Sequence, residues 1–385
     1  MHVAIDTEAA QQLIEIAGEF ARKEIAPRVA EYDRAEQFPP DLLEQLAELG
    51  YFGGTVPVED GGAGLDYQTF ASFIEEVSRT CNMIGCLLSM PSGLVGASIA
   101  DFGTPEQKER WLRPLAAGTM FGAAGVTEPG SGSDVAGMQT TYRREGDEFV
   151  ISGSKAWISN LDIGSFLVTF ATKDRALRHR GITAFIIPMD TPGLGLFPYK
   201  DKLGFRPICT GEVILDDVRV GADALLGEEG NGFAVAMTAV ERGRLGVASR
   251  AVGVAQACLD EATKYAVDRN AFGHPISEFQ IVQSKVTDME VGVETARLLV
   301  NRAAAALDRG ERARKLTSMA KMYASDIAFR SAADAFQIHG AYGVSPEYPI
   351  GRLLRDAKVL QIVEGSNDLH RALIGEMSLG LRKES

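Results

Sequence analysis

The hydrophobic period of this chain changes twice, from helical to strand-like near Phe121 and back to helical after Gly232, and that order excludes most ways of folding its 385 residues. A buried helix face repeats every three to four residues and a half-buried strand face every two, so the two patterns do not substitute for one another. In the first third, Leu13, Ile16, Ala17 and Phe20 recur at helical spacing behind an Asp6 or Thr7 cap. Pro39 and Pro40 open a second helix, with Leu42, Leu46 and Leu49 as its buried stripe and Gly50 where a helix commonly ends. Further helix is expected over 70–78, 81–100 and 105–115.

The middle third carries short β-rich runs at 149–151, 166–172, 182–187 and 212–215. Glu145-Gly146-Asp147 turns the first of these back onto 140–142, and Pro192-Gly193 and Asp216-Asp217 punctuate the rest as turns. Strands do not alternate with long helices, which disfavours a parallel doubly wound sheet and favours a small antiparallel barrel or sandwich. After Gly232, helical segments over 233–268, 278–308 and 312–338, and a shorter one after Gly365, are joined by brief breaks at Gly273-His274-Pro275 and Gly310. Long segments with short connections predict antiparallel neighbours in a bundle. The expected architecture is mostly α with a central β domain: helical over 1–120, a β-barrel over 121–230, and a helical bundle over 231–385.

Composition narrows the function. A net charge of -13 and a pI near 5.0 repel nucleic acid and anionic membrane alike, so neither is an expected partner. Cys81, Cys86, Cys209 and Cys258 form no CxxC pair and suit a reducing cytoplasm. The opening residues 1–8 carry acid where a leader needs a basic region, and no run approaches eighteen uninterrupted apolar residues. His2, His179, His274, His339 and His370 lie far apart, without an HxH or HxxxH pair, so no metal site is expected.

Two motifs bear on chemistry. Val126-Thr127-Glu128-Pro129-Gly130-Ser131-Gly132-Ser133-Asp134 sets glycines among hydroxyls, which permits close backbone approach to a planar ligand. It is no dinucleotide fingerprint, since the third glycine, Gly137, comes two residues late, and a Gly/Ser turn read alone is more often a plain loop. Lys155-Ala156-Trp157-Ile158-Ser159-Asn160 holds one of two tryptophans, able to cover one face of an isoalloxazine ring or simply to fill a core.

Together with Asp268-Arg269-Asn270-Ala271-Phe272-Gly273 and Gln280, the stretch from Gln337-Ile338-His339-Gly340 to Arg355-Asp356-Ala357-Lys358, and Val363-Glu364-Gly365-Ser366, these motifs resemble the acyl-CoA dehydrogenase family over essentially the whole chain. The resemblance implies a helical domain, a β domain and a C-terminal four-helix bundle, with FAD between the last two and a neighbouring subunit of a homotetramer completing its site. It implies that Val126, Thr127 and Ser133 line the flavin, that Trp157 and Ser159 flank its ring, and that Arg269, Phe272 and Gln280 meet its pyrophosphate and adenosine across a subunit boundary. A guanidinium fork suits phosphate oxygens on independent grounds. Gln337, Gly340 and Ala341 match a further dinucleotide contact, with alanine where the family often has glycine. Ser366 and Asp368 match cofactor contacts after the base, and Asp368 is shorter than the family's usual Gln or Glu.

The same resemblance makes Glu364 the catalytic base. Other members take the base from the helix containing 240–245, but here that position is Gly243, beside Arg244. A carboxylate in a water-poor pocket gains proton affinity and suits removal of an α proton from a thioester, with flavin accepting the β hydride. Ser133, Glu241, Arg244 and Gly365 match positions along the thioester and pantetheine path, although Arg244 reads equally as an ion-pair partner of Glu241. The 81–100 segment, which in the family closes the acyl pocket, has no Lys or Arg. That disfavours a dicarboxylic substrate, and Met90 beside Pro91 points to a short or branched acyl-CoA. An electron-transfer flavoprotein or similar acceptor would reoxidise the flavin. Rival readings are a dehydrogenase for a carrier-protein thioester, an oxidase on the same scaffold, and a non-catalytic helical assembly protein.

Overall fold

The computed structural model describes residues 7–383. The Asp6 cap, His2 and the acidic start before Thr7 lie outside them. The first region contains α1 (Thr7–Phe20), α2 (Val29–Ala35), α3 (Pro40–Glu48), α4 (Tyr67–Thr80), α5 (Asn82–Ser89), α6 (Leu94–Phe102), α7 (Pro105–Gln107) and α8 (Arg113–Ala116). Asp66 caps α4 by accepting from the Thr69 amide at 2.7 Å, and Thr104 with Gln107 forms a reciprocal capping box at α7.

Three expectations here are corrected. Ile16 is 57% exposed, because α1 approaches α4 through the small face of Ala17, Gly18 and Ala21, where Glu76 leaves no room beside Gly18 for a side chain. Leu49 is also exposed, since the helix ends at Glu48 and the chain turns away at Gly50 with φ 69°. The 81–100 segment is two helices, not one. It breaks over Met90–Gly93, where Gly96 sits against the Pro91 carbonyl too closely for any Cβ. Asn82–Phe102 is long and apolar enough to cross a membrane, and most of it is buried inside the protein.

The β region comprises β1 (Phe121–Gly125), β2 (Thr141–Glu145), β3 (Glu148–Ser159), β4 (Gly164–Thr172), β5 (Ile182–Pro188), β6 (Leu194–Pro198), β7 (Thr210–Gly221) and β8 (Leu225–Leu226). They form one sheet in the order β6-β7-β3-β2-β4-β5-β8, with β1 added alongside β4. Pairing is antiparallel except for β1 with β4 and the single Thr141–Thr172 contact of β2 with β4. Asp216-Asp217, read as a turn, instead lies inside β7: Asp217 has φ 49°, and register shifts along the β3–β7 ladder let both strands bend without ending.

The C-terminal region runs α9 (Gly232–Asp268), a small ribbon of β9 (Asn270–Ala271) and β10 (His274–Pro275), α10 (Gln280–Asp308), α11 (Arg314–His339), α12 (Ile350–Leu360) and α13 (Asn367–Ser378). Helix α12 was not anticipated. The central helix α9 packs on α11, α10, α4, α5 and α6, so a single core joins the first region to the bundle.

Candidate active site

Glu364 lies in the turn between α12 and α13, with φ 53° there and 96° at Gly365. The first is a left-handed conformation that disfavours a side-chain-bearing residue. Contacts to α11 hold it. Lys321 is fully buried and its Nζ donates to the Gly365 carbonyl at 2.7 Å and to Asn367 Oδ1 at 3.0 Å. Asn367 Nδ2 in turn donates to Ser325 Oγ and Asp326, and Ser366 caps α13 by accepting from the Leu369 amide. His370 packs beneath Gly365, and burial pulls its pKa down to about 3 against the opposing effect of the Glu364 and Gly365 backbone.

Helix α9 faces this turn. A Cβ on Gly243 would come within 2.9–3.2 Å of the Glu364 carboxyl atoms, so the carboxylate fills the space that a side chain at 243 would need. Arg244 is buried and donates weakly to the Glu364 carbonyl at 3.5 Å and to Ser318 Oγ at 3.3 Å. Glu241 accepts from the Ala313 amide at 3.0 Å, at the start of α11. Burial pushes Glu364 up to about 7 against the opposing pull of Arg244, Lys321 and Arg250, and burial draws Lys321 down to about 7 and Arg244 to about 10. The cations surround the carboxylate while their hydrogen bonds go to backbone and neutral groups.

A second wall comes from the sheet. Trp157 has φ 61°, stands 64% exposed and packs on Tyr199 at 4.8 Å between ring centres; Ser159 ends the same strand. The Ala156 amide donates to the Thr127 carbonyl, tying the Val126–Asp134 loop to β3. Glu128 in that loop is buried and accepts from Lys155 Nζ at 2.8 Å and from the Thr140 amide at 3.0 Å. Ser133 is exposed on the loop, and Gly130 and Gly132 have open space beside them. The elbow between α5 and α6 links this wall to Glu364. Asn160 donates to Met90 Sδ at 2.9 Å, while a Cβ on Gly93 would lie 3.4 Å from the Gly243 Cα.

A third group lies at the other end of α9. Arg269, Phe272 and Gln280 are exposed around the β9–β10 ribbon, Phe272 at 94%. The Arg269 guanidinium lies 5.4 Å over the Tyr342 ring, beside exposed Gln337, Gly340 and Ala341 at the end of α11. Gly340 has φ 57° with open space at its Cβ position. Asp368 points to solvent and pairs with Arg371, a favourable place for an acid in the first turn of α13. An exposed indole, a terminal hydroxyl, open glycine backbone and an available guanidinium fit a flavin dinucleotide. Lys321, Arg250, His370 and the Glu128–Lys155 pair were not singled out from sequence. The signal for Lys321 was a polar stripe on one face of α11, Ser318, Lys321 and Ser325.

Comparison with known proteins covers nearly all of the chain. Residues 7–119, 123–218 and 230–379 match the N-terminal, middle and C-terminal domains of acyl-CoA dehydrogenase. The chain is 42% identical over 367 residues to the human mitochondrial short-chain specific acyl-CoA dehydrogenase, covering 95% of this chain and 89% of that protein. A structure of a glutaryl-coenzyme A dehydrogenase with glutaryl-CoA superposes with TM-score 0.95 at 36% identity, covering 100% of this chain and 98% of that one. A chain solved in work on the electron transferring flavoprotein of Acidaminococcus fermentans superposes with TM-score 0.94 at 39% identity, covering 98% of this chain and 100% of that one.

Proposed function

The chain belongs to the acyl-CoA dehydrogenase family, an FAD-dependent group of oxidoreductases, and on that premise we propose that it dehydrogenates a short acyl-CoA between its α and β carbons with Glu364 as the base. The observation that carries this reading is the Glu364 carboxylate, lodged against Gly243 and raised to about 7. Val126, Thr127, Trp157, Ser159, Gln337 and Gly340 would hold FAD, which would supply a two-electron acceptor for the β hydrogen. Glu364 takes the α proton onto its carboxylate. A base tuned near neutral pH is ionised often enough to act and binds the proton strongly once it has it. The Glu364 amide donates to the thioester oxygen as negative charge gathers there, while Arg244, Glu241, Ser133 and Gly365 line the thioester path. Lys321 keeps the carboxylate aimed by fixing the carbonyl that follows it.

Exposed Phe272, Arg269 and Gln280 support a homo-oligomer in which they meet the cofactor of a neighbouring subunit. The likeness to the chain from the electron transferring flavoprotein study supports an acceptor of that kind. Met90, pinned by Asn160 at the elbow, supports a short acyl chain.

The test is anaerobic reduction of bound FAD by a series of acyl-CoA esters. Wild type is expected to bleach, and Glu364→Gln to keep FAD while losing about 10²- to 10⁴-fold in the rate of reduction. Rapid bleaching in that variant would remove Glu364 from the role.

A further inference from the structure

Helix α9 presents Gly243, Gly246 and Arg250 along one face. Gly243 meets the Glu364 carboxylate, and a Cβ on Gly246 would lie 3.0 Å from the Ser89 side chain on α5. Arg250 follows. It is 3% exposed, its Nε donates to Asn82 Oδ1 at 3.0 Å, and its guanidinium lies 4.9 Å over the Phe205 ring. Among the described residues its Nη2 has no hydrogen-bond partner, and neither do Asn82 Nδ2 and Ser78 Oγ, although Asn82 and Ser78 are fully buried. The three side chains converge. Ser78 Oγ and the Arg250 stem both lean over Gly85, whose missing side chain makes the space. Among the described residues no carboxylate lies within ion-pair distance of Arg250.

A guanidinium buried with no carboxylate in ion-pair contact, beside two other polar groups that lack partners among the described residues, is costly unless something accepts its hydrogen bonds. Seven residues of helix separate Gly243 from Arg250, about 10 Å along the axis, and a helical side chain leans back toward the N-terminus. The guanidinium thus stands about two turns along α9 from Gly243, against Asn82 at the start of α5 and still within reach of the Glu364 charge, at a span that suits a short acyl chain. The α5–α6 segment contributes no cation of its own, but the facing helix does.

We propose that Arg250, with Asn82 and Ser78, forms a subsite for a terminal carboxylate, making the substrate the CoA thioester of a short dicarboxylic acid. This rests on the dehydrogenase reading above and reverses the expectation drawn from the 81–100 segment alone.

Glutaryl-CoA and valeryl-CoA, which have equal carbon counts, separate the possibilities. The wild-type holoenzyme is expected to reduce its FAD with a higher kcat/KM for glutaryl-CoA. Arg250→Gln should lower the glutaryl to valeryl ratio by about tenfold to a hundredfold, the loss of one charge-assisted contact. Calorimetric titration of Glu364→Gln holoenzyme, which binds without turning over, should show the same preference and stands if the Arg250 variant fails to fold. Wild type that bleaches with valeryl-CoA in preference to glutaryl-CoA, or a ratio untouched by Arg250→Gln, overturns the subsite and leaves the dehydrogenase reading in place. Bleaching by no acyl-CoA overturns both.

Discussion

Two carboxylates set among cations, buried Glu128 in the β region and half-buried Glu364 at the α12–α13 turn, are treated in opposite ways. Glu128 is gripped. Burial alone would raise its pKa, but Lys155 at 2.8 Å and the amides of Gln139 and Thr140 outweigh that and hold it below the usual carboxylate range. Glu364 has more cations around it, yet none of them bonds to its carboxylate. Lys321 donates to the next residue's carbonyl and Arg244 to the Glu364 carbonyl, so burial dominates and the acid rises to about 7. Proximity of charge is thus not what separates a structural acid from a base. What matters is whether the donors end on the carboxylate or on the backbone that carries it.

The largest expected effect breaks the gripped pair. Lys155→Met leaves Glu128 buried without its counter-ion and should cost about 3–5 kcal/mol of stability, read as a lower denaturant midpoint. The acid limb of kcat/KM should stay where it is in the protein that remains folded. Movement of that limb would mean that the two carboxylates are coupled. Next comes Lys321→Met, which removes both the clamp on Gly365 and a charge that favours ionised Glu364. The sign is definite: losing a cation raises the pKa of the acid, so the limb moves above about 7 and activity at neutral pH falls. Misplacing a base in this way costs about 10²-fold at most. Lys321→Arg keeps the charge and should restore the limb further than the rate. A limb unmoved in Lys321→Met would reduce Lys321 to packing.

How much of this was legible in sequence follows from the range of each signal. The order of regions and the helices α3, α4 and α9 to α11 rest on local period and end signals such as Pro40 and Gly50, which need no knowledge of neighbours. Exposure of Ile16 and the bulge at Asp217 depend on which face the rest of the chain supplies, and no local pattern carries that. The break at Met90–Gly93 had a signal in Pro91 that the apolar run masked. Within the site, Gly243 was noted as a missing base, whereas its contact with Glu364, 121 positions away, belongs to tertiary structure. Lys321 and Arg250 were harder. A single cation in a long helix reads as solvated until the packing of α11 and α9 shows it facing inward.

Gly243 also offers the smallest change, and one with opposed consequences. Replacing a mid-helix glycine by alanine ordinarily stabilises by up to about 1 kcal/mol, because the unfolded chain loses freedom and the helix gains propensity. Here the new methyl would sit 2.9–3.2 Å from the Glu364 carboxyl, closer than ordinary contact allows. That neighbour is the end of a flexible side chain, so the clash is relieved by swinging the carboxylate aside, at little cost to the fold. Gly243→Ala should therefore unfold at an equal or slightly higher denaturant concentration than wild type while reducing FAD more slowly. Lys155→Met should show the converse, weak folding with an unshifted base. A Gly243→Ala protein of full activity would mean that Glu364 works from some other position than the one it occupies against α9, and the contrast between the two carboxylates would lose its functional half.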